Sequence, residues 1–236
     1  MSLVTLVSVC VMLGVALARS APSWWRAIPR EDPSMISLAR RVEGTVQSEV
    51  FQNRPARRDG EVWLSEPWSI RLSAEEASAW LSIRMPMWLA NSDDHFRWPR
   101  EVEEVQVLFE EGAVTVGARV RSGAAAPHGR VLTATVSPHM DPEGRVFAPA
   151  GRVNLGRVTM PAGWVLDHIR GAADRYFPAD IRALPETETM LRAFEGQSAL
   201  VERAVFKLGD GRRVRLLGFS VEDGILEVRC QTERPG

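Results

Sequence analysis

The sequence predicts an α+β fold: a curved antiparallel sheet of about seven strands packed on amphipathic helices, behind an N-terminal transmembrane or signal helix. Three observations predict it. An apolar run opens the chain, apolar residues recur at helical spacing in separate blocks, and alternating runs joined by acidic-Gly turns lie between and after those blocks. The chain divides accordingly into an anchor or signal segment (1–22), a juxtamembrane amphipathic helix and loop (23–60) and one α+β domain (61–236).

Residues 3–18 form an uncharged, mostly apolar stretch closed by Arg19 and followed by Pro22, Trp24 and Trp25. Three readings fit it. As a membrane helix it is short of the roughly 20 residues a bilayer core asks for, although Met1, Ser2 and the Trp pair extend the match. As a cleaved signal it ends in a small-residue site, Ala16-Leu17-Ala18. As a soluble core helix it lacks any polar face. Arg19, Arg26 and Arg30 follow the run, and the positive-inside rule alone would leave the rest of the chain in the cytoplasm. Val9 stands before Cys10 where a lipoprotein site wants a small residue.

Next, Met35, Leu38, Ala39, Val42, Val46 and Val50 recur at three- and four-residue steps and predict an amphipathic helix. Pro55, Arg57, Arg58 and Asp59 break that pattern, so 53–60 reads as a loop. Ser73 and Glu76 form a capping-box pattern, and Ala77, Trp80 and Leu81 share one face of the helix that follows. After Pro99 the period becomes two: Val105, Val107 and Phe109, a turn at Glu110-Glu111-Gly112, then Val114, Val116, Ala118 and Val120 predict a hairpin. Residues 122–129 read as a loop, and 130–137 and 145–155 as strands joined at Asp141-Pro142-Glu143-Gly144. Val165, Ile169, Ala172 and Tyr176 form a helical stripe that Pro178 stops, and a shorter helix covers 186–195. Strands at 200–208, 214–221 and 225–231 close the chain, with turns at Gly209-Asp210-Gly211 and Glu222-Asp223-Gly224.

With 236 residues, 45% of them hydrophobic and 25% charged, the chain can bury a sizeable core. Its 29 basic and 30 acidic residues leave a net charge of -1, and no nucleic-acid partner is expected from that balance. Two cysteines are too few for a disulfide framework or a zinc site. The four histidines sit at no metal-ligand spacing; Asp93, Asp94 and His95 read as a polar loop, His139 with Asp141 as a turn, and Asp167 with His168 as helix surface. There is no Gly-x-Ser-x-Gly elbow and no phosphate-binding glycine loop, so catalytic, cofactor and metal residues are all assigned as none. Glu101, Glu103, Glu104, Glu110 and Glu111 read as the solvated side and tip of a hairpin. The eight tryptophans include Trp63, Trp68, Trp80, Trp88 and Trp98, which suit core packing or contact with an amphiphile or membrane interface.

The run Leu72-Ser73-Ala74-Glu75-Glu76-Ala77-Ser78-Ala79-Trp80-Leu81 ahead of a hairpin resembles the bacterial YpmS-like family of membrane-anchored extracytoplasmic proteins. So does Val153-Asn154-Leu155-Gly156-Arg157-Val158-Thr159-Met160-Pro161 ahead of Trp164-Val165-Leu166. The likeness runs from about Ile70 to Tyr176, without a basic leader and without an Asn in the Ser73 helix. That family is similar in plan to tubular lipid-binding modules, in which a curved sheet wraps a helix around an apolar groove. The resemblance implies a groove lined by Trp80, Leu81, Val105, Val107, Val114, Val116, Trp164, Val165, Ile169 and Tyr176, between the sheet and the helix at 162–176. The expectation is a membrane-anchored, extracytoplasmic envelope protein that binds a lipid or other amphiphile in that groove. The alternative is a non-enzymatic assembly module that docks another envelope protein.

Overall fold

A computed structural model of the chain describes residues 12, 13, 15–92, 98–122, 126–171 and 185–235. Residues 1–11 and Gly14 of the N-terminal segment, the stretch holding Asp93, Asp94 and His95, and Tyr176 lie outside them. Among the described residues no helix is long and apolar enough to cross a membrane.

Helix α1 (Pro33–Phe51) starts where Asp32 accepts a hydrogen bond from the Ser34 N–H at 2.8 Å and Pro33 occupies the first turn. Its stripe buries Ala39 and Val42. Three short strands follow, β1 (Ala56–Asp59), β2 (Val62–Ser65) and β3 (Trp68–Ser73), so the loop expected at 53–60 is partly strand. β1 is exposed along its whole length and has no apolar alternation to announce it; pairing with β2 creates it. Helix α2 (Ala74–Ala79) carries the predicted capping box, in which Ser73 and Glu76 satisfy each other's backbone N–H. A wide π-helical turn at Trp80–Arg84 leads into α3 (Met85–Ser92). Pro86 would crowd the carbonyl one turn back in a regular α-helix, and the widened turn accommodates it.

The remaining strands are β4 (Val102–Glu110), β5 (Ala113–Ser122), β6 (Ala126–Val136), β7 (His139–Met140), β8 (Val146–Phe147), β9 (Ala150–Leu155) and β10 (Val158–Pro161). After α4 (Ala162–Gly171) and α5 (Pro185–Phe194) come β11 (Val205–Lys207), β12 (Arg213–Glu222) and β13 (Ile225–Pro235). They do not make one seven-stranded sheet. One sheet has five strands in the order β10-β9-β6-β5-β4; a second has six, β1-β2-β13-β12-β11 with β3 also on β13; β7 and β8 form a separate ribbon. The expected strand at 145–155 is broken in two around Ala148 and Pro149, because Pro149 has no N–H to give a ladder.

The faces of the five-stranded sheet differ in chemistry. Rows running through Val105, Ala118, Leu132, Leu155 and Val158, through Val107, Val116, Ala134, Val153 and Met160, and through Phe109, Val114, Val136 and Ala150 are apolar at every position. The opposite face holds Glu104, Gln106, Thr115, Thr133, Thr135 and Asn154, and its centre is covered by residues from the start of the chain. The Ile28 N–H donates to Glu104 at 2.7 Å, the Arg157 N–H donates to the Leu17 carbonyl at 2.9 Å, and the Trp25 ring lies where a side chain on Gly117 would project. Glu104 is therefore 5% exposed and faces Arg119 at 3.7 Å, which corrects the expectation that it is solvated. Its cover comes from residues almost eighty positions away, and no local pattern shows it.

Two hairpin tips join the sheets. The Gly112 N–H donates to the Val221 carbonyl and the Gly224 N–H to the Phe109 carbonyl, both at 3.0 Å, so Phe109-x-x-Gly112 and Val221-x-x-Gly224 exchange equivalent bonds. Both glycines have positive φ, +68° and +78°. Val107, Phe109 and Val221 are buried together at this junction. The free edge of β4 is closed by α2 and the wide turn: the Ser78 hydroxyl bonds the N–H and carbonyl of Val107, and the Ser82 hydroxyl bonds those of Val105. α4 packs on β9 and β10 and buries Ala162 and Leu166.

Candidate functional site

Those two serine contacts hold the wide turn against the sheet, and beside it a cavity of about 530 Å³ opens between α1, α2, α3 and the β4–β5 hairpin. The size falls within the range of small-molecule sites. Val42 and Val46 line it from α1, Ala77, Trp80, Leu81 and Trp88 from the second helical block, and Val107, Phe109 and Val114 from the sheet. Leu72 and Leu226 complete the wall, a cross-strand pair from β3 and β13. Trp80 and Trp88 approach with ring centroids 6.4 Å apart, and Trp88 is about half exposed at the mouth.

Polar groups enter at one rim only, through Glu43 and Gln47 of α1. Glu43 accepts a hydrogen bond from Arg84 Nε at 2.5 Å, with both side chains about a quarter exposed. That bond raises the Arg84 pKa above its ordinary value. Glu43 is the one titratable residue in the lining and is engaged in this pair. The chemistry on offer is burial of an apolar group beside a small polar rim.

Of the groove residues expected from the sequence, Trp80, Leu81, Val107 and Val114 meet in this cavity. Val105 and Val116 lie on the same apolar sheet face outside its lining, Val116 being 40% exposed. Trp164 and Val165 belong to α4, which contributes nothing to the lining; Trp164 is 59% exposed and stacks on His168. The side chain of Ile169 and all of Tyr176 fall outside the described residues. Val42, Val46 and Phe109 carried a legible signal, the helical stripe and the strand alternation. Leu226 carried none, because it arrives through pairing of β13 with β3.

The other chemistry-bearing residues are placed as follows. His139 stacks on Phe147 with centroids 5.3 Å apart, and among the described residues no three His, Cys, Asp or Glu side chains gather as metal ligands. Cys230 is buried, and burial pushes its thiol pKa up against a smaller opposing pull from Arg54. Trp68 donates from Nε1 to Thr232 at 3.1 Å, and Trp98 donates to the Val102 carbonyl at 3.0 Å.

Fold and cavity together define an α+β protein whose two antiparallel sheets, joined tip to tip, sit beside an apolar chamber roofed by helices. The chain matches no protein-family model, no curated protein and no solved structure.

Proposed function

We propose that this chain is a membrane-tethered envelope protein that binds a lipid or similar amphiphile, with the apolar part of the ligand lodged among α1, α2, α3 and the β4–β5 hairpin. The observation that carries the reading is the cavity wall: two tryptophans, a phenylalanine and eight aliphatic side chains face it, against Glu43 and Gln47 at the rim. The same apolar rows continue from Val107 and Val114 across the five-stranded sheet. At about 4.8 Å per strand that face is about 19 Å wide, somewhat more than the roughly 15 Å that one leaflet contributes to a bilayer core. The resemblance to membrane-anchored proteins of lipid-binding plan points the same way.

Solvent extraction of the purified chain followed by mass spectrometry tests the reading. Wild-type protein is expected to release a bound amphiphile. Ala77→Phe, which fills the cavity from α2, is expected to release little while unfolding at a similar temperature. Absence of any amphiphile from wild-type protein, together with failure to bind added lysophospholipid, would overturn it. A second reading, docking of an apolar segment of another envelope protein, is favoured by the exposure of Val116 and Leu132, at 40% and 42%. It predicts cross-links to a specific partner from cysteines placed at those two positions.

A further inference from the structure

At the far end of α1 a second cavity, of about 340 Å³, has the opposite chemistry. Register builds it. Arg58 of β1 is opposite Trp63 of β2, and Trp63 is opposite Arg234 of β13. Because Arg213 pairs with Glu233, Arg212 comes next in that row, beside Arg234. Like charges on neighbouring strands repel. Asp210 is the carboxylate set against this pair: it bonds Arg212 at 2.7 Å, and its pKa is held below the usual carboxylate range by those bonds, with the charges of Arg212 and then Arg234 adding to the effect.

Two of the lining arginines are fixed in place, each with a side chain only 10% exposed. Arg212 also donates to the carbonyls of Phe51 and Gln52, at 3.2 Å each. Arg54 bonds Glu49 at 2.5 Å and lies 4.3 Å over the Trp68 ring. That leaves donors to spare. Among the described residues the Arg234 side chain has no hydrogen-bond partner, Arg54 keeps its Nε–H, and the Thr232 hydroxyl, which accepts from Trp68, has no acceptor for its own proton. Three guanidinium groups thus face one pocket against the carboxylates of Glu49 and Asp210. The donors converge from the segment after α1, from β13 and from the turn before β12, a spread that suits a tetrahedral anion better than a planar one.

We propose that this pocket binds the phosphate group of a small molecule or lipid headgroup, with Arg234, Arg54 and Thr232 as donors and Arg212 as a fixed positive charge. The assignment is independent of the apolar cavity. Inorganic phosphate titrated into the full-length chain, at ionic strength held constant with chloride, tests it through tryptophan emission and thermal midpoint. Saturable binding is expected. Arg234→Gln, a change at an exposed position, is expected to weaken it about tenfold, the loss of one charge-assisted bond, and Arg234→Lys to restore part of it. Phosphate acting no differently from chloride, or Arg234→Gln binding as tightly as wild type, would overturn the assignment. Phosphatidylcholine vesicles with and without phosphatidate identify the source: binding to the phosphatidate vesicles that free phosphate reverses assigns a headgroup, and phosphate binding without vesicle binding assigns a soluble molecule. Either result upholds the pocket.

Discussion

Ser82 is 2% exposed, and its hydroxyl donates to the Val105 carbonyl at 2.6 Å and accepts from the Val105 N–H at 3.1 Å. A helix lies alongside a sheet edge here, where a ladder would normally require another strand. Removing the hydroxyl strands two backbone groups away from water. Ser82→Ala is therefore expected to cost about 1–3 kcal/mol in urea denaturation, with faster amide exchange at Val105. An unchanged midpoint would show that water replaces the hydroxyl. Ser78 makes the same pair of contacts one turn earlier, with Val107. Both serines sit in a stretch whose sequence signal is only that of a helix; nothing in the residues announces the edge they cover.

Among the elements, the segment at 15–30 is held by the polar face of the five-stranded sheet rather than by its own propensity. Its Trp25 ring depends on Gly117, where an added Cβ would come within 2.6 Å of one ring carbon and 3.0 Å of Trp24. Gly117→Ala is expected to lift the tryptophan pair from the sheet, shift their emission to the red and open 19–30 to proteolysis. The associated loss is about 1–3 kcal/mol, as for overpacking elsewhere. If emission and cleavage match wild type, the segment is anchored mainly by its bonds to Glu104 and Gln106. Helix α1 differs in origin: its Asp32 cap and its stripe are both local, and Ala39 and Val42 lie buried on the face the sequence predicts to be apolar.

For the whole molecule the decisive contact is the exchange between the tips of the β4–β5 and β12–β13 hairpins. Each tip needs a left-handed residue, and an alanine there costs about 1–2 kcal/mol. Gly112→Ala and Gly224→Ala are each expected to lower stability by that amount in chemical denaturation. Because each glycine donates to the strand leading into the other's turn, the double variant is expected to lose less than the two single losses added. Strict additivity would mean that the tips act as separate turns. The apolar cavity depends on this joint, since Phe109 and Leu226 reach it from the two hairpins that meet there.

By itself the sequence determined what is set within a dozen residues: the α+β class, α1 and its stripe, the Ser73–Glu76 cap, the alternation of β4, β5, β12 and β13, and their glycine turns. Those signals arise from side-chain period and backbone preference, which act locally. Tertiary structure alone decided that the strands divide between two sheets, that β1 and β2 exist at all, that Glu104 is covered, and that Leu226 shares a wall with Val42. Each of these depends on pairing between residues far apart in the chain. Period tells which face of a strand is apolar, but not which other strand, helix or segment will come to lie on it.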